Sequence, residues 1–153
     1  MLLGTAALAA LSVTAAACGK PPPPPDLDDL VTQLDLARAD SRLASDAAAA
    51  AIPQLAPALH AVASERSDHA SALSDEIARI TSEITTSAPT TTSTTQATAP
   101  TAKDVVAALR TSADSAGQLA AQLSGYRAGL LGSIAASCTA AYTVALAPRD
   151  GAP

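Results

Sequence analysis

The sequence has no Trp or Phe and only two Tyr in 153 residues, so it has few rings to stack bases or to wall a flat cofactor. Charge is also thin. Nine Lys and Arg against fourteen Asp and Glu give a net charge of −5, the wrong sign for attracting a phosphate backbone. Nucleic-acid binding and haem or flavin chemistry are therefore not expected, and the chain is read as carrying no cofactor. Cysteine is confined to Cys18 and Cys138. What is abundant is Ala, at some forty residues. Ala is the strongest helix former, whereas strand-forming residues are scarce outside one Thr-rich tract. The composition predicts an all-α chain of at most one domain, with a core of small and aliphatic side chains.

Residues 1–17 carry no charge and end in Ala15-Ala16-Ala17 immediately before Cys18. The stretch is shorter than the roughly 20 residues needed to span a bilayer and reads as an export leader. Small residues before a Cys resemble the bacterial lipobox, in which that Cys is lipidated and becomes the first residue of the mature chain. The resemblance implies an acyl anchor on Cys18 and a location on the extracytoplasmic face of the cell membrane. Two features depart from the pattern: Ala15 stands where Leu is commoner, and no Lys or Arg precedes the apolar segment. The second predicts a start codon upstream of Met1. Residues 18–25, the Cys followed by Gly19, Lys20 and five prolines, form an extended tether of polyproline type. With Cys18 acylated, Cys138 has no partner for an internal disulfide.

Residues 26–148 read as four helices. The first opens at Asp26, with Asp28 and Asp29 in its first turn, where the helix dipole favours acids. Its expected core stripe is Leu27, Leu30, Val31, Leu34, Ser41, Ser45, Ala48 and Ile52. The second runs from Pro53 or Pro57 to about Ile84, with Leu55, Leu59, Val62, Leu73, Ile77 and Ile80 at helical spacing. Residues 85–101 are an uncharged linker rich in Thr, Ser and Pro, able to reach about 55 Å. Within it Thr90, Thr91, Thr92, Thr94 and Thr95 resemble an O-glycosylation tract, the alternative being plain disorder. Thr101 with Asp104 predicts a capping box opening the third helix. The fourth, from Tyr126 to about Ala147, holds no charge from Ala128 to Pro148 and is expected to be the central, nearly all-buried helix. Gly125, Gly129, Gly132, Ala136 and Ala140 are expected to admit its neighbours closely.

Short turn, long crossover and short turn predict a four-helix bundle with the up-down connectivity of ferritin-like folds, the crossover lying between helices two and three. The runs Glu65-Arg66-Ser67-Asp68-His69-Ala70 and Tyr126-Arg127-Ala128-Gly129-Leu130-Leu131-Gly132 are similar to Ala-rich ferritin-like lipoproteins of actinobacteria. A ferritin-like di-iron site requires a Glu from each of two helices and a Glu-x-x-His from each of the others. Here Arg66 stands where a ligand belongs, and the fourth helix offers neither acid nor imidazole. The remaining metal candidates are Glu65 and His69 with a helix-one acid such as Asp35 or Asp46. His60 is half a turn out of phase with His69 and is read as a surface residue.

Arg66 and Arg38 each fall on the centre line of an apolar stripe. Two readings stand: an internal polar cluster of Arg38, Arg66, Glu65 and His69, or long side chains whose charged heads reach water at the margin. Cys138 reads as a small hydrophobe, and no nucleophile elbow, phosphate loop or zinc spacing is found. The sequence thus points to a non-enzymatic, lipid-anchored interaction or structural module of the cell envelope. Its expected partners are the membrane, an envelope protein or a second copy of the chain. The rival readings are a metal-binding bundle completed by dimerisation and a membrane subunit in which residues 128–147 span the bilayer.

Overall fold

The computed structural model describes residues 24–82 and 99–147; the leader, Cys18, most of the tether and residues 83–98 lie outside them. Helix α1 spans Leu27–Ala50, α2 Ala56–Ser82, α3 Ala102–Gln122 and α4 Gly125–Ala140, and α4 continues into a π-helical turn, Ala141–Ala145. No strand occurs among the described residues. The regular structure of the described residues is all helical.

Local chemistry accounts for the boundaries. Beyond α1, Ala51 is extended and Ile52 to Leu55 form a turn in which the Ile52 carbonyl accepts from the N–H groups of Leu55 and Ala56. Pro57 then sits in the first turn of α2, where a missing N–H costs nothing. At α3 the expected capping box is present: Thr101 Oγ1 accepts from the Asp104 N–H, and the Asp104 carboxylate accepts from the Thr101 N–H at 2.8 Å. Between α3 and α4, Gly125 has φ of +61°, a backbone conformation that a side chain would strain.

Helix α1 packs along α2, α3 along α4, and α1 also lies against α3. The core joins Leu30, Leu34, Leu59, Leu73, Leu109 and Leu131 with a row of alanines on α1, Ala37, Ala44, Ala47 and Ala48. Alanine at these positions lets the α2 and α3 backbones come near, because interaxial distance follows side-chain size.

Two expectations are corrected. The buried arc of α1 is rotated from the expected stripe: Gln33, Ala37, Asp40 and Ala44 are buried, whereas Val31, Ser45 and Ile52 are exposed. α1 faces two neighbours, and Gln33 and Asp40 point at polar partners on α3, so a count of apolar residues misplaces its centre. Helix α4 is not buried on nearly all sides. It covers Leu131, Ile134 and Cys138 and leaves Gly132, Ser133, Ala136, Thr139 and Ala140 exposed. A Cβ added at Gly125, Gly129 or Gly132 would meet nothing within 4 Å, so these glycines admit no neighbour among the described residues. The stretch Gly125–Ala145 is nonetheless long and apolar enough to cross a membrane.

The rotation of α1 is directly testable. Leu30→Ala, at a fully buried position, is expected to lower stability by about 2–5 kcal/mol. Val31→Ala, at a position 39 % exposed, is expected to cost about 1 kcal/mol or less. Urea unfolding of the two variants checks the order; equal losses would restore the stripe expected from sequence.

Candidate functional site

Polar side chains meet in the middle of the helices. Arg66 of α2 is 2 % exposed and Asp40 of α1 is 4 % exposed. An unpaired guanidinium could not be held at such a position. Arg66 Nε and Nη2 both lie 3.1 Å from Asp40 Oδ2. The same carboxylate oxygen accepts from Ser112 Oγ of α3 at 2.7 Å. Three helices therefore each contribute one member of a charge-assisted network.

On its outer side Arg66 Nη1 lies 3.1 Å from His69 Nδ1. A guanidinium can only donate, so His69 accepts at Nδ1 and carries its proton on Nε2 as a neutral ring. Burial lowers the His69 pKa first, and the positive charge of Arg66 adds to this, against the smaller opposing influence of Glu65 and Asp68. Glu65 is exposed and accepts a hydrogen bond from Ser137 of α4. Beside it Cys138 is buried, and burial pushes its thiol pKa up. That is the opposite of the electropositive setting that makes a nucleophilic thiolate.

The structure thus brings Arg66, His69 and Glu65 together in sequence and space and excludes Arg38. Arg38 is a correction: its side chain is 47 % exposed and pairs with Asp35 at 4.0 Å. The rotated arc of α1 carries Asp40 inward and leaves Arg38 on the solvent side. Asp40 and Ser112 are the members that sequence reasoning missed. A signal was available, because Gln33, Asp40 and Ala47 repeat every seven residues, as do Leu59, Arg66 and Leu73 and also Val105, Ser112 and Leu119, and all nine are buried. A polar residue on such a row is a core position that needs a partner.

For a metal the arrangement is poorly disposed. His69 spends Nδ1 on Arg66, Glu65 turns to Ser137, and Asp35 and Asp46 are exposed on α1. Among the described residues no three His, Cys, Asp or Glu side chains converge on one point. His60 is exposed. Cys18 and the threonines Thr90, Thr91, Thr92, Thr94 and Thr95 lie outside the described residues. Two further ion pairs lie toward the Asp26 end of the helices: Arg127 of α4 lies 2.6 Å from Asp26, and within α2 Arg79 lies 2.6 Å from the buried Glu76. The Arg79 hydrogen bonds hold the Glu76 carboxyl below its usual range.

No family model, curated protein or solved structure matches the chain. A functional reading therefore stands on its own residues.

Two outcomes are expected of the cluster. Arg66→Met leaves Asp40 buried and unpaired and should cost about 3–5 kcal/mol, with much of the loss recovered when Asp40→Leu is added; urea unfolding of the singles and the double measures the coupling. For His69, the unfolded chain takes up a proton near the ordinary pKa of about 6.5 while the folded ring resists it. Its neutral form is therefore matched to the fold above that pH, and the His69 contribution to stability should be lost progressively as pH falls below about 6.5. His69→Gln should flatten that part of the stability profile, and an unchanged slope would place the proton elsewhere.

Proposed function

We propose that the protein is an exported, lipid-anchored helical bundle of the cell envelope that acts as a non-catalytic interaction or structural module. The observation that carries this reading is the outward face of α4. Its fully buried side is limited to Leu131, Ile134 and Cys138, with Leu130 and Ala135 partly covered, and the exposed positions Gly129, Gly132, Ser133, Ala136, Thr139 and Ala140 are small and uncharged. Such a face is suited to contact with another surface, an envelope protein or a second copy of the chain. The polar groups, by contrast, close on one another as Arg66, Asp40 and Ser112 do.

Ferritin-like connectivity is the finer reading of the fold. Its support is the order of contacts: Asp40 meets Arg66 while Ser41 meets Ala63, and Asp40 meets Ser112 while Gln33 meets Ser115. Helix α1 thus runs opposite to both α2 and α3, which leaves those two parallel and calls for a crossover as long as a helix. Residues 83–98 are the segment that would make it.

Export and anchoring rest on the lipobox-like Ala15-Ala16-Ala17-Cys18. Metabolic labelling with an alkyne fatty acid should mark the wild-type chain and leave Cys18→Ser unmarked. A specific protease site placed among residues 21–25 of the full chain should then release the helical body from membranes. Retention after cleavage would overturn the reading in favour of Gly125–Ala145 spanning the bilayer, and equal labelling of both chains would remove the anchor.

A further inference from the structure

A cleft of about 440 Å³ opens at the end of the molecule opposite Asp26, where the α1–α2 turn, the first turns of α3 and the π-helical turn after α4 meet. Its volume lies within the range of small-molecule sites, roughly 300–1,000 Å³. The walls are apolar, with Leu55 from the turn, Val106 from α3, and Tyr142 and Leu146 from the end of α4. The π-helical turn shapes one wall: the Leu146 N–H bonds to the Ala141 carbonyl at 2.9 Å, five residues back. Such local widening of a helix recurs at functional sites.

Two cations also line this cleft, Lys103 and Arg110. The Arg110 guanidinium stacks on the ring of Tyr142, 4.7 Å from its centroid, which holds it beside the apolar wall. The described ion pairs engage Arg38, Arg66, Arg79 and Arg127, whereas neither Lys103 nor Arg110 pairs with a carboxylate among the described residues. The nearest acid in sequence, Asp104, is held by the Thr101 N–H and hydroxyl, and Lys103 contributes only weakly to keeping it ionised. The positive end of the α3 dipole lies on the same side. In a chain of net charge −5, a cationic mouth on an apolar cleft is a local reversal of sign that favours an anion there.

We infer that the cleft binds a free fatty acid, with its single aliphatic chain against Leu55, Val106 and Leu146 and its carboxylate between Lys103 and Arg110. An anionic head and an apolar tail together match what the cleft offers. The small volume favours one chain over the two of a phospholipid. This inference does not depend on acylation of Cys18, since the cleft lies at the far end of α1, about 36 Å from Asp26 at 1.5 Å per residue.

The test uses the full chain in phosphatidylcholine vesicles and a diazirine-bearing hexadecanoic acid as probe, with cross-linked peptides mapped by mass spectrometry. Labels are expected at the α1–α2 turn, on α3 near Val106 and around Leu146. The matching diazirine fatty alcohol, and the double variant Lys103→Gln/Arg110→Gln, should each reduce labelling at least about ten-fold. Circular dichroism of the variant must match wild type, and both exchanged residues are exposed, so the fold is expected to survive. With the vesicles omitted, so that the free probe is in water, shortening it should weaken binding about four-fold per methylene removed. Equal labelling by acid and alcohol, labels spread along the outer face of α4, competition by anionic phospholipid alone, or no label at the cleft would each overturn the inference. The last result is the one expected if another segment of the chain fills the cleft.

Discussion

The ion pair between Arg66 and Asp40 is the constraint around which the helices are arranged. A guanidinium and a carboxylate removed from water are tolerable only with close geometry and with their remaining hydrogen-bonding capacity met. Here Ser112 and His69 meet part of it. The pair matters because the surrounding surfaces specify so little. Ala37, Ala44, Ala47, Ala48, Ala70, Ala113 and Ala116 are all buried, and faces made of one small side chain interlock weakly. Sliding α1 by one turn along α2 or α3 would cost such a surface little packing. It would, however, separate Asp40 from Arg66 and Ser112 and leave charges uncompensated. Register is where a buried ion pair has its best-attested use.

A second consequence of small side chains is the uneven treatment of the four helices. α1 lies between α2 and α3 and buries residues over a wide arc, including Gln33, which donates to Ser115 of α3 at 2.6 Å. α4 packs mainly on α3 and is held at its start by Arg127 against Asp26. Its narrow row of Leu131, Ile134 and Cys138 is sufficient to dock it. Beyond that row Ser137 reaches Glu65 of α2 and Leu130 and Ala135 are partly covered, while Gly129, Gly132, Ser133, Ala136, Thr139 and Ala140 stay exposed. The most apolar of the described helices is thus among the least covered, the reverse of what its composition suggests.

The chemistry of the polar cluster follows from the same geometry. Each of the three guanidinium nitrogens of Arg66 reaches Asp40 or His69, and the neutral imidazole is fixed in one tautomer by that contact. Cys138 is nearby but buried as a thiol. The groups that would attract a chemical reading in sequence are those that hold helices together. Exposed positive charge and open volume instead coincide at the end of the helices opposite Asp26, around Lys103, Arg110 and the π-helical turn.

Local signals sufficed for the helical class, the Thr101–Asp104 capping box, the turn at Pro53 to Pro57 and the break at Ser124-Gly125. Each depends on residues within a few positions of one another, and backbone propensity and capping act at that range. The identity of Arg66 as a residue on a core stripe was legible for the same reason. Its partners were not, because Asp40 and Ser112 are 26 and 72 residues from the groups they meet, and only the packing of three helices decides which polar residue turns inward. The same limit explains Arg38 and α4. Helical periodicity says which residues share a face, but whether that face is covered depends on neighbours supplied from elsewhere in the chain.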